Sequence, residues 1–399
     1  MQITHNPFNP GAGTPPPTLA GRDAVRENLH NCIERLRIGR HSNGQLLIGL
    51  RGVGKTVLLE RMVYDTEQQG AITVHLEAPE FKSLPASLTK ELRLALIRMS
   101  QVQSAKDAVV RGLRALAGFV SGLKVTYRDI EVGLDYAPEA GLADSGDLET
   151  DLRALLVEAG HAARSAKTVL AIFIDELQCM PKHEMAALLY ALHRCGQLQL
   201  PVILVGAGLP QLIGLIGDAK SYAERMFEIT DIGPLSEVDA RDAISGPAER
   251  QGVEITPDAL DAIVEQTGAY PYFLQQWGKH TWRIAKQSPI TAAHVTNASG
   301  EAIDALDKSF YRFRFNRLTV AERRYLRAMA ELGEGPHYSD DVAAELGKPV
   351  DTLERIRNDL ITKGMLYSDP QGDAAFTVPR FHEFLKRVMP DLRLCAAAD

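Results

Sequence analysis

The chain contains a glycine-rich segment, residues 49–56, whose composition suits the binding of a phosphate chain. It reads Gly-Leu-Arg-Gly-Val-Gly-Lys-Thr, follows the apolar residues 46–48 and precedes a helical pattern that starts at Val57. Between a strand and a helix, such glycines let backbone N–H groups converge on a phosphate, Lys55 adds positive charge, and the Thr56 hydroxyl binds Mg²⁺. The predicted phosphate-binding residues are Gly49, Gly52, Val53, Gly54, Lys55, Thr56 and Val57.

Two carboxylates close a second apolar run. Residues 169–174 are unbroken apolar, as a buried parallel strand requires, and Asp175 and Glu176 follow directly. Alone, such a pair is a common helix N-cap. Together with the glycine-rich segment it predicts that Asp175, with Thr56, holds Mg²⁺ and that Glu176 activates the attacking water.

A third candidate is Arg225, which stands just before a short apolar strand, residues 227–229. An arginine at the edge of a sheet could reach a phosphate in its own chain or in a neighbouring subunit. The alternative is a surface ion pair with Glu224 or Glu228. The strand at 201–205 ends in Gly-Ala-Gly, without the polar side chain that often senses a terminal phosphate.

The elements that must position these residues alternate between strand and helix, which predicts a mostly parallel α/β sheet covered on both faces. We predict an extended N-terminal strap over residues 1–19 and an α/β domain over 20–234. A hairpin insertion is expected near 105–136, with its strands within 124–136. An all-helical domain follows over 235–310. Residues 311–399 show a helix-turn-helix and a β-wing, which together indicate a winged helix.

The amino-acid composition excludes several classes of protein. The 399 residues carry 44 Lys and Arg against 51 Asp and Glu, a net charge of −7, which excludes a chain that coats nucleic acid by bulk charge. Four scattered cysteines indicate neither a disulfide framework nor a zinc site. The sequence has no apolar run of membrane-spanning length and no signal peptide pattern, so we expect a cytoplasmic protein without a membrane partner.

A basic stretch near residue 312 suggests a second binding surface. Arg312, Arg314 and Arg317 alternate with aromatic residues, a pattern that suits gripping phosphates and stacking on bases. It suits equally a hinge helix whose arginines pair with the acidic α/β domain. Farther on, Arg355 and Arg357 could read a DNA groove, although residues 311–399 hold 14 basic and 14 acidic residues.

Taken together, these motifs resemble the AAA+ and STAND branch of P-loop ATPases, especially bacterial and archaeal ATPases related to origin-recognition proteins. The resemblance covers residues 20–390 and includes Gly21-Arg22, the glycine-rich loop, Asp175-Glu176 and Arg225. Residues 268–273, Gly-Ala-Tyr-Pro-Tyr-Phe, are similar to the Gly-x-Pro signature of STAND ATPases.

The resemblance implies ATP and Mg²⁺ as cofactors and a P-loop fold with a helical lid and a C-terminal winged helix. It implies that Pro271 contacts the adenine and that Gly21 and Arg22 lie on the adenine and ribose side. The lid arginine of AAA+ proteins has no counterpart beside Pro271, and the nearest candidate is Arg283. We therefore expect slow hydrolysis rather than fast turnover in a ring.

The sequence thus predicts an ATP-hydrolysing switch that couples nucleotide state to the position of a winged helix. One alternative is an origin-recognition-like protein that binds double-stranded DNA in an ATP-dependent way. The other is a non-hydrolysing scaffold that nucleotide stabilises. A homo-oligomer is compatible with each of the three hypotheses.

Overall fold

The structure is a computed structural model, and it describes residues 2–11, 13–78, 83–124, 126–127, 136–368 and 372–391. Residues 125 and 128–135 of the hairpin predicted within 124–136 lie outside the described residues. The helix predicted before them is present as Lys106–Leu123.

Within the described residues, the central sheet has five parallel strands in the order β2-β3-β4-β1-β5. The predicted α/β architecture with a parallel sheet is confirmed. Strands β1, β3 and β4 are buried along their whole length, which explains why their residues are apolar except for Gln45 and Asp175. The strands are β1 Gly44–Ile48, β2 Ile72–Glu77, β3 Leu170–Asp175, β4 Val202–Gly208 and β5 Phe227–Asp231.

Helices cover both faces of this sheet. Alternate residues of β3 point to opposite faces, so that Phe173 packs with α1 and α2 while Ile172 and Ile174 pack with α3 to α6. Because the strands are parallel, their carboxyl ends lie at the same edge of the sheet, where the loops after them meet. The helices are α1 Asp23–Arg37, α2 Lys55–Gln68, α3 Leu84–Met99, α4 Lys106–Leu123, α5 Leu148–Ser165, α6 Lys182–Gln197 and α7 Leu212–Ala219.

After β5 the chain is helical up to a π-helical turn, Asp307–Tyr311, and further helices with an antiparallel strand pair come next. These elements have the order that the sequence predicts. They are α8 Glu237–Glu249, α9 Pro257–Thr267, α10 Pro271–Ile284, α11 Ala292–Leu306, α12 Arg312–Asn316, α13 Val320–Leu332, α14 Ser339–Leu346, α15 Glu354–Thr362, β6 Leu366–Ser368, β7 Ala374–Phe376 and α16 Phe381–Val388.

Apolar side chains from both sides of the predicted boundary at residue 310 pack in a common core. Phe310 and Tyr311 lie 5.2 Å apart between ring centroids, and Tyr311 stacks on Phe384 of α16, also at 5.2 Å. Phe310 meets Phe273 of α10 at 5.7 Å. An aromatic chain therefore joins α10 to the last helix.

The N-terminal strap runs across this helical region. Phe8 is 2% exposed and meets the Trp282 ring edge-on, with the ring centroids 6.5 Å apart. A Cβ atom at Gly278 would lie 2.7 Å from the Phe8 ring, so α10 needs glycine there to admit the aromatic side chain. Asn6 Nδ2 donates to the Lys279 carbonyl at 3.0 Å. The strap is thus anchored to α10.

Candidate nucleotide-binding site

A cavity of about 610 Å³ opens where the carboxyl ends of β1 and β3 face α10 and the strap. It brings most of the predicted site residues together, as expected for ligands of parallel α/β sheets. The predicted residues that line it are Arg22, Gly52, Val53, Gly54, Lys55, Thr56, Val57, Asp175, Glu176 and Pro271.

The glycine-rich loop forms one end of this cavity. Gly52 and Gly54 have φ values of +85° and +90°, in the left-handed region that favours glycine, and α2 begins directly afterwards at Lys55. Gly54 has no side chain that could cap α2, so the N–H groups of the first turn of α2 face the cavity. A phosphate fits such a helix N-terminus because both the free N–H groups and the helix dipole favour an anion.

Lys55 is 7% exposed, and its Nζ donates to the Gly49 carbonyl at 2.8 Å and the Leu50 carbonyl at 2.9 Å. Gly49 itself does not line the cavity but accepts this bond. Burial lowers the pKa of Lys55 to about 8, although the nearby Glu176 and Asp175 act in the opposite direction. The phosphates of a nucleotide would supply the negative charge that this buried ammonium lacks.

The two predicted acids stand at the end of β3. Asp175 is buried, and its Oδ1 accepts the Glu176 backbone N–H at 2.8 Å. Glu176 has a φ of +49° and is half-buried, so its carboxylate leaves the strand direction and lies in the cavity. Backbone strain of this kind is concentrated at functional sites.

Gln178 is a residue of this site that the sequence analysis missed. Its Nε2 donates to the Glu176 carboxylate, and its Oε1 accepts the Leu209 N–H at 3.1 Å, just after β4. A Cβ at Gly208 would lie 2.6 Å from that Oε1, so the glycine makes room for the amide. A polar group is therefore present at the end of β4, supplied from the loop after β3. Its place two residues beyond Glu176 was the available signal.

Arg51 and Arg314 place two further positive charges near Glu176. Arg51 Nη1 lies 3.8 Å from Glu176 Oε1. Arg314 lines the cavity, donates to the Phe310 carbonyl and sits over the Phe310 ring, 4.5 Å from its centroid. Burial, and then the charge of Arg51, lower the pKa of Arg314 to about 10. Arg314 therefore faces this cavity of the α/β domain. This position agrees with the alternative of a hinge arginine that meets the α/β domain and not with an outward DNA-contacting surface.

Part of the cavity wall is apolar. Pro271 begins α10 and contributes to this wall, as do Leu235, Ala243 and Leu274. Arg22 Nη2 donates to the Gly233 carbonyl at 2.6 Å, and burial lowers the pKa of Arg22. An apolar wall of this kind suits a flat group such as a nucleobase.

Gly21 is not among the residues lining the cavity. Its φ of +67° and the place of a Cβ, 2.6 Å from Asp239 Oδ2, show why glycine is needed there. Gly21 thus shapes the turn that carries Arg22 toward the cavity.

Arg225 lies away from these residues. It lines a different cavity, of about 390 Å³, formed at the amino ends of β1, β4 and β5, whereas the glycine-rich loop follows the carboxyl end of β1. The five residues of β1 separate the two edges by about 16 Å. The structure therefore does not bring Arg225 to the nucleotide site of its own chain.

The remaining predicted arginines differ in their surroundings. Arg312 and Arg317 on α12 and its C-cap, and Arg355 on α15, are exposed. Arg357 is half-buried; its Nη2 donates to Ser368 Oγ at 2.9 Å and to the Gly372 carbonyl. Arg357 thus links α15 to the strand pair. The sequence had suggested that its guanidinium could face a DNA groove, but the guanidinium is bonded to the strand pair instead.

The described residues contain no group of three or more His, Cys, Asp or Glu side chains that could hold a metal ion. Thr56 is exposed to the cavity, and Asp175 lines it. This donor set fits Mg²⁺, which usually takes one or two protein oxygens together with phosphates and water.

Comparison with known proteins agrees with this geometry. Residues 18–205 match the family model described as the AAA ATPase domain. Residues 308–385 match a family described only as a domain of unknown function, DUF8462. The predicted resemblance to AAA+ P-loop ATPases is therefore confirmed for the segment that contains both the glycine-rich loop and the acids.

The similarity to two known proteins extends over more of the chain than the match to the AAA ATPase domain. An uncharacterized HTH-type transcriptional regulator of Methanocaldococcus jannaschii is 25% identical over 389 residues, which cover 94% of this chain and 90% of that protein. The Walker-type ATPase of Pyrococcus abyssi is 15% identical, with a TM-score of 0.57, over 92% of this chain and 96% of that chain. This likeness shows a shared fold.

The Orc1 protein of Aeropyrum pernix, solved in complex with DNA, is 16% identical over 95% of each chain, with a TM-score of 0.47. In the part of this chain that the structure describes, no helix is long and apolar enough to cross a membrane.

Proposed function

We propose that this protein binds ATP with Mg²⁺ and hydrolyses it slowly, as a switch of the AAA+/STAND type. The observation that carries the proposal is the meeting of the Lys55 loop with Asp175 and Glu176 in one cavity, at the carboxyl edge of the sheet. The match of residues 18–205 to the AAA ATPase domain supports it.

Each residue then has a chemical role. Lys55 exchanges its loop carbonyls for the β- and γ-phosphate oxygens, and the N–H groups at the start of α2 hold the β-phosphate. Thr56 and Asp175 would hold Mg²⁺, which neutralises phosphate charge. Glu176 accepts the proton of the attacking water, while Arg314 compensates the negative charge that develops on the transferred phosphoryl group.

The coupling proposed for this switch rests on contacts between the loop and the C-terminal half. The Arg51 N–H donates to the Thr377 carbonyl at 3.0 Å, and the Tyr272 N–H donates to the Gly52 carbonyl at 3.2 Å. We take residues 235–310 as the lid and residues 311–399 as a winged helix. A phosphate that reshapes the loop would alter both contacts and thereby move these regions.

ATP turnover by wild-type protein and by Glu176→Gln tests the proposal. The substitution keeps the side-chain shape and removes the base, so turnover is expected to fall at least about a hundredfold while ATP binding persists. Glu60→Gln, in an exposed carboxylate of the same cavity, is the control and should retain turnover. Absence of turnover in the wild type, with nucleotide firmly bound, would favour the non-hydrolysing scaffold instead.

A second candidate function is ATP-dependent binding of double-stranded DNA. Phe313 on α12 is 71% exposed and stands between the exposed Arg312 and Arg317, an arrangement that suits stacking and phosphate contact. The similar archaeal protein named as an HTH-type regulator is consistent with this candidate. Fluorescence anisotropy with duplex DNA at low salt, with ADP and with ATP, tests it, and no affinity in either state would exclude it.

A further inference from the structure

The N-terminal strap forms one wall of the nucleotide cavity. Strap residues between Asn9 and Thr18 line it, and a Cβ atom at Gly13 would lie 3.7 Å from Thr56 Cγ2, beside the predicted Mg²⁺ ligand. The other walls come from the edge of the sheet and from the region of α10 and α12. Those walls belong to packed elements, whereas the described strap residues after His5 belong to no helix or strand.

The strap is fastened at one end by a single aromatic side chain. Phe8 is 2% exposed and fills the notch that Gly278 leaves on α10. The hydrogen bond from Asn6 Nδ2 to the Lys279 carbonyl, at 3.0 Å, lies beside it. These contacts precede the part of the strap that lines the cavity, so they hold that part in place from outside the cavity.

The other end is fastened by Arg250 of the turn after α8. Its Nη2 donates to the Pro17 carbonyl at 3.1 Å and to Thr18 Oγ1 at 2.7 Å. Between the two ends, the described residues 9–11 and 13–16 form no hydrogen bond with the rest of the chain. The strap therefore spans the cavity and is held only at its ends.

The strap also lacks the charges that would bind phosphates. Residues 1–19 contain no Asp, Glu, Lys or Arg. A segment of this composition covers a site without adding an ion pair to its ligand. Such a segment slows the entry and the exit of a ligand together, whereas a charged contact would mainly change the affinity.

We propose that the strap is a movable cover of the nucleotide site and that Phe8 holds it closed. Displacement of α10 or of the sheet edge would break a packed apolar core, whereas displacement of the strap withdraws one ring from such a core. A nucleotide therefore enters and leaves past the strap, and its exchange waits for the release of Phe8. The inference rests on the proposed nucleotide site and adds what controls exchange there.

Stopped-flow fluorescence with N-methylanthraniloyl-ADP and Mg²⁺ tests the proposal, because it measures association and dissociation separately. Phe8→Ala shifts the strap toward the open state, so both rate constants should rise at least about tenfold while Kd stays within about threefold. Ile3→Ala, at an exposed position of the same strap, is the matched control and should keep the wild-type rates.

A substitution on the other side of the same contact makes the test independent of the Phe8 variant. A Cβ atom at Gly278 would lie 2.7 Å from the Phe8 ring, so Gly278→Ala expels the ring, while alanine itself favours the helix α10. This variant should accelerate exchange as Phe8→Ala does. Gly300→Ala on α11, where a Cβ atom would meet nothing within 4 Å, is its control and should keep the wild-type rates.

The outcomes separate this inference from the proposed function. Unchanged rates in both Phe8→Ala and Gly278→Ala would overturn the cover and leave the proposed ATPase intact. Faster dissociation without faster association would also overturn it, because the strap would then be a binding contact. Absence of nucleotide binding by the wild type would overturn the cover and the ATPase together.

Discussion

The buried ammonium of Lys55 destabilises the nucleotide-free protein, and a bound phosphate would remove this electrostatic cost. Its ammonium is buried against carbonyl oxygens, and the two nearest carboxylates do not restore its pKa to the ordinary value. An ion held this way disfavours the folded protein until a phosphate arrives. Nucleotide binding is therefore expected to raise the melting temperature strongly.

The lowered pKa of Lys55 predicts a specific dependence of stability on pH. Because the folded-state pKa is about 8, below the unfolded value of 10.5, the folded protein binds fewer protons than the unfolded one between these values. The penalty is fully present below pH 8 and is relieved as pH rises toward 10.5. Relative to Lys55→Met, the nucleotide-free wild type should gain on the order of 2 to 3 kcal/mol between pH 7.5 and 10. Urea unfolding of both proteins at the two pH values measures the difference.

Replacing Arg314 should affect ATP turnover, whereas replacing Arg312 and Arg317 should not. Arg314→Met is expected to lower ATP turnover about tenfold to a hundredfold, since a hydrogen bond to a charged group is worth about 1.5–3 kcal/mol. The double change of Arg312 and Arg317 to Ala should leave turnover unchanged and flatten the salt dependence of any DNA affinity. That salt dependence should be shallow, about −2 to −5 in log–log slope, because residues 311–399 carry no net charge. Loss of DNA affinity in Arg314→Met with normal turnover would contradict the inward role.

At the scale of elements, the strap is an extended segment held by a few side chains. Residues 9–11, 13, 14, 16 and 18 contribute to the wall of the nucleotide cavity. Gly13 approaches Thr56, because a Cβ atom at Gly13 would lie 3.7 Å from Thr56 Cγ2. Phe8 supplies the apolar anchor between Gly278 and Trp282. One aromatic side chain thus keeps the strap beside the predicted Mg²⁺ ligand.

Phe8→Ala should release the strap without unfolding the rest of the protein. Truncation of a buried Phe costs about 3–5 kcal/mol and removes the only buried aromatic anchor among the described residues of the strap, which leaves it held by hydrogen bonds alone. Limited proteolysis should then cleave within residues 2–19, while the main unfolding transition moves little. Ile3→Ala, at an exposed position of the same strap, is the control and should leave the strap protected.

The same scale explains which parts of the site the sequence could predict. The glycine-rich loop and the acids after β3 arise from local patterns, because the strand before each motif sets its place at the sheet edge. The direction of the Arg314 side chain does not arise from a local pattern. The π-helical turn Asp307–Tyr311 adds a residue to the helical turn and thereby rotates the side chains of α12 by about 100°.

At the scale of the whole molecule, the two cavities lie at opposite edges of the sheet. Arg225 therefore has a nucleotide to contact only if a second copy of the chain presents its own glycine-rich loop to the amino edge. Mixing Arg225→Ala with Lys55→Ala protein should restore part of the ATP turnover if the arginine acts between subunits. No recovery at any ratio, in protein that is monomeric by light scattering, would contradict a role of Arg225 in ATP hydrolysis between subunits.

The aromatic chain from α10 to α16 has a consequence for how the molecule opens. Phe273, Phe310, Tyr311 and Phe384 belong to one packed core, so no subset of their helices can separate without exposing large rings to water. Amide hydrogen exchange should therefore find residues 235–391 opening as one cooperative unit, independently of the sheet. A polypeptide that starts at residue 311 would lack half of this core and should remain loosely packed, whereas one that starts at 235 should refold by itself.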